Sequence, residues 1–215
     1  MIKIDIVSGF LGAGKTTLIA KLLKDSFKDE KVIIIENEFG EIGIDSGFLK
    51  SSGVEIREMN SGCICCSLVG DFGKALQEVI NTYSPDRVII EPSGVGKLSD
   101  VKKAVFDAGK ALEQEVSIGS ATAVVDVLKC RAYLKNFGEF YKDQISAAGA
   151  IILTRTDLPK ASGERIDEAI ELIREHNKDA VIVTTPVKDL DSAKLLEVME
   201  KGAVDLAKEM LEEAE

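Results

Sequence analysis

Tryptophan is absent from the 215-residue sequence, and histidine occurs only once, as His176. A metal centre built from imidazoles is thereby excluded. Basic residues are outnumbered, 27 Lys and Arg against 37 Asp and Glu, for a net charge of −10. They form no cluster that could track a phosphate backbone, so neither nucleic acid nor an anionic membrane surface is expected as a partner. No apolar run approaches the ~18 residues that a membrane span needs. The first residues, Met1-Ile2-Lys3-Ile4-Asp5, read directly as a strand, so no secretory leader is expected. Internal repeats, low-complexity linkers and composition breaks are all missing. Only four cysteines occur, and three of them fall at positions 63, 65 and 66. That crowding does not resemble a disulfide framework; in a reducing cytosol it points to a metal or redox site. A cytoplasmic location is the expectation.

What is present is a regular alternation. Apolar runs of strand length stand at Ile2–Val7, Val32–Glu36, Val54–Glu58, Arg87–Glu91, Ala121–Asp126, Ala150–Thr154 and Ala180–Thr184. Several are nearly continuous Val and Ile, as in parallel strands covered on both faces. Helical patterns lie between them, at Lys15–Phe27, Asp71–Tyr83, Leu98–Gln114, Val127–Ala147, Gly163–Asn177 and from Asp191 onward. In the last, Leu195, Met199, Ala203, Leu206 and Met210 fall on one stripe that should pack on the sheet. The alternation predicts an α/β fold, a doubly wound and mostly parallel sheet, forming one domain over residues 1–215.

The loop Gly9-Phe10-Leu11-Gly12-Ala13-Gly14-Lys15-Thr16-Thr17 fits the pattern G-x-x-x-x-G-K-[ST], with an apolar strand before it and a helix after it. Glycines let backbone N–H groups turn inward around phosphates. Gly12, Ala13, Gly14 and Thr17 are the expected cradle, Lys15 the cation for the β- and γ-phosphates, and the Thr16 hydroxyl a Mg²⁺ ligand. The helix that follows turns its positive dipole end toward the anion. The predicted activity is nucleoside-triphosphate hydrolysis.

Asn60-Ser61-Gly62-Cys63-Ile64-Cys65-Cys66-Ser67 is the second feature. Three thiols at i, i+2 and i+3 can converge on one centre if Gly62 allows a sharp turn. Thiolates select Zn²⁺, Cu⁺ and similar ions over Mg²⁺ or Ca²⁺. Three protein ligands leave a fourth tetrahedral position open, which suits transfer of the ion better than a closed structural site. A Cys63–Cys66 redox pair and three inert buried thiols are the other readings of the same residues. Cys130 is expected to be a small core residue, and His176 to sit near a helix end without ligating a metal.

The phosphate loop, then Glu36-Asn37-Glu38-Phe39-Gly40-Glu41, then Gly62-Cys63-Ile64-Cys65-Cys66, then Glu91-Pro92-Ser93-Gly94 occur in that order. In this the chain resembles the CobW-type metal-binding GTPases, relatives of the nickel-insertion GTPases of urease and hydrogenase, from residue 1 to about residue 190. The C-x-C-C element is specific to that group. The resemblance implies a P-loop NTPase of SIMIBI-like architecture, with Glu91 acting on Mg²⁺ at the end of its strand. It makes Glu36–Glu41 a first switch segment, Gly94 the hinge of a second, and Glu38 a catalytic candidate. Glu36 and Glu41 become oxygen ligands for a transferred Zn²⁺, Co²⁺ or Ni²⁺. From the residues alone, Glu36, Glu38 and Glu41 read first as a solvated acidic loop.

The resemblance also assigns guanine reading to an N/T-K-x-D element, here Thr154-Arg155-Thr156-Asp157. Asp157 can accept from guanine N1–H and the N2 amine, which adenine cannot offer, so GTP and GDP are the expected ligands. Arg155 stands where Lys is usual and is expected along the base, though the two are not interchangeable. A client metalloprotein and a nucleotide-dependent homodimer are the implied partners. The family's additional C-terminal domain and its His-rich storage segments have no counterpart in the sequence. No Arg or Gln is placed in the sequence as an evident transition-state stabiliser, so turnover should be slow. The expected function is a GTP-hydrolysing metallochaperone. A GTPase assisting maturation of a cobalamin-dependent enzyme, and a cysteine redox switch, are the alternatives.

Overall fold

The computed structural model describes residues 1–36, 55–58, 69–110 and 115–212, with side chains throughout except at 55–58, 69–72 and 203–212. In chain order the elements are β1 (Ile2–Gly9), α1 (Lys15–Asp25), β2 (Val32–Glu36), β3 (Glu55–Glu58), α2 (Val69–Tyr83), β4 (Arg87–Glu91) and α3 (Leu98–Lys110). There follow β5 (Val116–Asp126), α4 (Cys130–Asn136), α5 (Gly138–Ser146), β6 (Ala150–Thr154), α6 (Gly163–Arg174), β7 (Val181–Val183) and α7 (Ser192–Glu212). The strands form one sheet in the order β3-β2-β4-β1-β5-β6-β7, and every pairing is parallel.

The apolar runs become strands because both faces of the sheet are covered. Ile4 and Ile6 of β1, Val88 and Ile90 of β4, and Ile151 and Leu153 of β6 face a core completed by α2, α3, α5 and α6. The alternate residues Val7, Ile89 and Ile152 face a second core closed by Leu18, Ile19 and Leu22 of α1 and by Leu195 and Met199 of α7. Each such side chain removed from water contributes about 1.5–3 kcal/mol. The expected packing of the last helix therefore holds for Leu195 and Met199.

Two sequence expectations change. The helix expected over Val127–Ala147 is two helices, broken at Phe137, whose backbone leaves the helical region at φ −127°, ψ 34°. There the Phe137 ring packs 4.6 Å from Phe10, and a flexible glycine, Gly138, begins the next helix. Strand β5 starts at Val116 rather than Ala121, because β1 takes a partner along its whole length, from Ile2 opposite Val116. The preceding helix is described over Leu98–Lys110, and the remainder of the expected span, residues 111–114, lies outside the described residues.

At the amino ends of the strands lies a buried charge network. The Arg87 guanidinium donates to Asp5 Oδ2 at 2.5 Å, to Glu30 Oε2 at 2.6 Å and to Glu200 Oε1 at 3.3 Å, and it stacks 4.3 Å over the Phe27 ring. Ser120 Oγ donates to the other Asp5 oxygen at 2.6 Å. Burial pushes the Asp5 carboxyl up, while Arg87 and Ser120 pull it back. Burial also works against the Arg87 charge, but its bond to Glu30 and the Asp5 carboxylate more than offset that, so the guanidinium stays protonated. The network ties β1, β4, the α1–β2 connection and α7 together.

Candidate nucleotide site

Parallel strands bring their carboxyl ends to one edge, where ligands of such sheets bind. Here that edge carries Gly9, Glu36, Glu91, Asp126 and Thr154. The phosphate-loop sequence forms its turn through three left-handed glycines, Gly9, Gly12 and Gly14. Gly14 matters most, because it stands immediately before α1 at φ 108°, ψ 21°, a conformation that side chains rarely adopt. It lets the chain enter the helix with the first-turn N–H groups facing the loop. No acidic residue lies in that first turn to compete with an anion.

Lys15 and Thr16 open α1, and both point at one carboxylate. Lys15 Nζ stands 3.7 Å from Glu91 Oε1, and Thr16 Oγ1 lies 3.4 Å from the same oxygen. Lys15 and Glu91 are each only 4% exposed. A buried lysine beside a glycine-rich turn offers positive charge to an anion. A hydroxyl and a carboxylate side by side offer hard oxygens that fit Mg²⁺. Glu36, half-buried at the end of β2, is in register with Glu91 and widens the acidic edge.

The other wall is the Thr154–Asp157 segment. Thr154 Oγ1 donates to Ala13 O at 2.7 Å, which fixes the segment to the phosphate loop. Arg155 takes a left-handed backbone conformation at φ 61°. Its Nη2 donates to Gly12 O at 2.8 Å, and its Nη1 pairs with the buried Asp126 carboxylate. Asp126 in turn accepts from the Leu128 N–H at 3.0 Å. The more branched guanidinium spans two acceptors at once, which a lysine ammonium in the same place would do less well. Asp157 is exposed rather than buried and pairs with Lys188 at 2.6 Å; that hydrogen bond holds its carboxyl below the usual range. It remains ionised and able to accept.

Asp126 escaped the sequence reading, although an acidic residue closing an apolar parallel strand was a signal for it. Gln144 escaped too, since nothing in a helical pattern distinguishes a buried glutamine. Cys130 is buried as expected, and burial pushes its thiol up to about 11. Glu38, Glu41, Cys63, Cys65 and Cys66 lie outside the described residues. Among the described residues, no three His, Cys, Asp or Glu side chains gather to hold a metal, and no helix is long and apolar enough to cross a membrane.

Known structures share this architecture. Zn(II)-bound YjiA GTPase from Escherichia coli aligns over 93% of this chain and 62% of its own, with a TM-score of 0.68 at 25% identity. The hydrogenase maturation factor HypB from Archaeoglobus fulgidus aligns over 92% of this chain with a TM-score of 0.65, and at 16% identity it speaks for the fold alone. The fold is thus that of the SIMIBI class of P-loop GTPases. Within that class the chain belongs to the CobW/HypB/UreG family, whose nucleotide-binding domain matches residues 3–184. A relative described as the zinc chaperone CobW, from a Sinorhizobium species, is 32% identical over 187 residues, 74% of this chain and 52% of that protein. The chain spans about half the length of such relatives.

Proposed function

We propose that this protein binds GTP with Mg²⁺, hydrolyses it slowly, and uses the cycle to control a transition-metal ion carried on Cys63, Cys65 and Cys66 to a client metalloprotein. The convergence of Lys15 and Thr16 on Glu91 beside the glycine turn carries the nucleotide half of this reading. Relatives described as zinc chaperones, and others as zinc-regulated GTPase metalloprotein activators, support the metal half and make Zn²⁺ the first ion to test, before Co²⁺ or Ni²⁺.

In this reading the phosphate-loop N–H groups and Lys15 bind the β- and γ-phosphates, while Thr16 and Glu91 hold Mg²⁺, Glu91 through water. Held there, Mg²⁺ would supply positive charge against the phosphates. Asp157 reads guanine, and Thr154 and Arg155 fix its loop to the phosphate loop. Glu36 and Glu41 add oxygen ligands to the carried ion, and Glu38 acts in the same segment near the reacting phosphate. A homodimer formed with GTP, in the cytoplasm, completes the proposal.

The test is whether nucleotide controls metal. Zn²⁺ affinity, measured against a competing chelator, should differ about 5–150-fold between protein saturated with GDP and with a non-hydrolysable GTP analogue. By linkage, Zn²⁺ must change the analogue's affinity relative to GDP by the same factor. Equal Zn²⁺ affinities in the two states would end the chaperone reading, and the cysteines would then be a redox pair or inert.

A further inference from the structure

Gln144, in α5, is 1% exposed and far from any surface role. Its Nε2 donates to Gly94 O at 3.1 Å and to Gly96 O at 2.9 Å. Both partners are carbonyls, so the amide orientation is settled by chemistry: the NH₂ must face them. Its own Oε1 is buried and accepts no hydrogen bond among the described residues. An apolar side chain would avoid that desolvation cost. The two carbonyls are therefore what the amide is there to hold.

Those carbonyls belong to the turn that follows Glu91. Gly96 N donates to Ser93 O at 2.8 Å, closing the turn. On its opposite side Gly94 presses on the phosphate loop so closely that a Cβ there would stand 2.7 Å from Leu11 N and 2.8 Å from Leu11 Cδ2. Gly94 is thus clamped between the phosphate loop and Gln144. Because a peptide is planar and trans, fixing Gly94 O also fixes the Val95 N–H, which points toward the buried Ser93 hydroxyl at 3.5 Å. The neighbouring Asp143 does a different job. It accepts from the N–H and hydroxyl of Ser99 at 3.1 and 2.5 Å and so caps the first turn of α3.

We propose that Gln144 is a positioning residue for GTP hydrolysis: it sets the peptide planes of the Ser93–Gly96 turn against the phosphate loop, and so the geometry in which the γ-phosphate reacts. The proposal rests on the hydrolysis reading above. It acts through backbone placement, and an ångström of misplacement at a reacting centre costs up to about a hundredfold in rate.

The experiment compares wild type, Gln144→Met, Gln144→Glu and Asp143→Asn by single-turnover GTP hydrolysis with Mg²⁺, GDP binding calorimetry and thermal melting. Met keeps the length of the side chain without its donors, and Glu keeps the shape without the NH₂. Both should lower the hydrolysis rate roughly tenfold to a hundredfold, with GDP affinity within about twofold of wild type. Asp143→Asn should melt earlier and hydrolyse at the wild-type rate. The assignment is overturned if both Gln144 variants fold and hydrolyse as wild type, or if rate and GDP affinity fall together. An equal loss of rate in Asp143→Asn overturns it too, as does failure of both Gln144 variants to fold, since the residue then serves the fold alone. A wild type that binds GTP but never hydrolyses it would overturn the hydrolysis reading, and this proposal with it.

Discussion

Replacing Arg87 with methionine should cost this protein more stability than a single ion pair at its surface could. Arg87 and Asp5 are each 2% exposed and meet at 2.5 Å, so without the guanidinium Asp5 keeps, among the described residues, only the Ser120 hydroxyl. Breaking one side of a buried pair costs about 3–5 kcal/mol, because the remaining charge is stranded away from water. Glu30 and Glu200 are partly exposed, at 34% and 29% of their side chains, and rehydrate with little penalty. In a domain of this size each kcal/mol lowers Tm by about 2–4 °C, so the expected fall is roughly 6–20 °C. Adding Asp5→Asn removes the stranded charge, and the double variant should recover about 1–3 kcal/mol relative to Arg87→Met alone. Urea and thermal unfolding of the two singles and the double give the cycle. Nucleotide affinity should not change, because Arg87 begins β4 and Glu91 ends it, about 13 Å along the strand. An Arg87→Met protein that melts within about 2 °C of wild type would refute the argument that Asp5 depends on that charge.

Three further outcomes are expected. Asp157→Asn should weaken GTP binding roughly tenfold to a hundredfold and shift preference toward xanthine nucleotides, measured by calorimetry; unaltered protein that binds ATP as well as GTP would sink the guanine assignment. Arg155→Ala and Asp126→Ala should each weaken GDP binding, and together no more than either alone, because Arg155 joins Asp126 to Gly12 in one unit; simple addition of the two losses would show that they act separately. Cys130, with its thiol raised to about 11, should stay unmodified by a maleimide at pH 8 in the folded protein and react once the protein is unfolded, as read by peptide mass mapping.

The sheet was legible in the sequence to the residue at several points, since Val32–Glu36, Arg87–Glu91 and Ala150–Thr154 are buried on both faces and their composition says so. The first half of β5, Val-Ser-Ile-Gly-Ser, hid because it is only partly buried at Val116–Ile118 and carries no continuous apolar run. The break at Phe137 hid because the apolar spacing continues across it, and only the Asn-Phe-Gly sequence marked a stop. The phosphate loop could be read because all its parts are adjacent in the chain. The Asp126–Arg155 pair and the grip of Gln144 on Gly94 could not, because their partners lie 29 and 50 residues apart (155 − 126 and 144 − 94). The Arg87 network joins residues farther apart still, up to 115 positions.

The position of β1 at the centre of the sheet sets the order of events during synthesis. The strand that carries the phosphate loop is made first, yet both of its neighbours, β4 and β5, come later, and Gly9 is not seated against Val124 until that residue has been translated. Cys66 is made 60 residues before Asp126 completes β5, an interval of about 3–12 s at ordinary elongation rates. For that time a growing chain carries its three clustered thiols before the strand that seats the phosphate loop is complete.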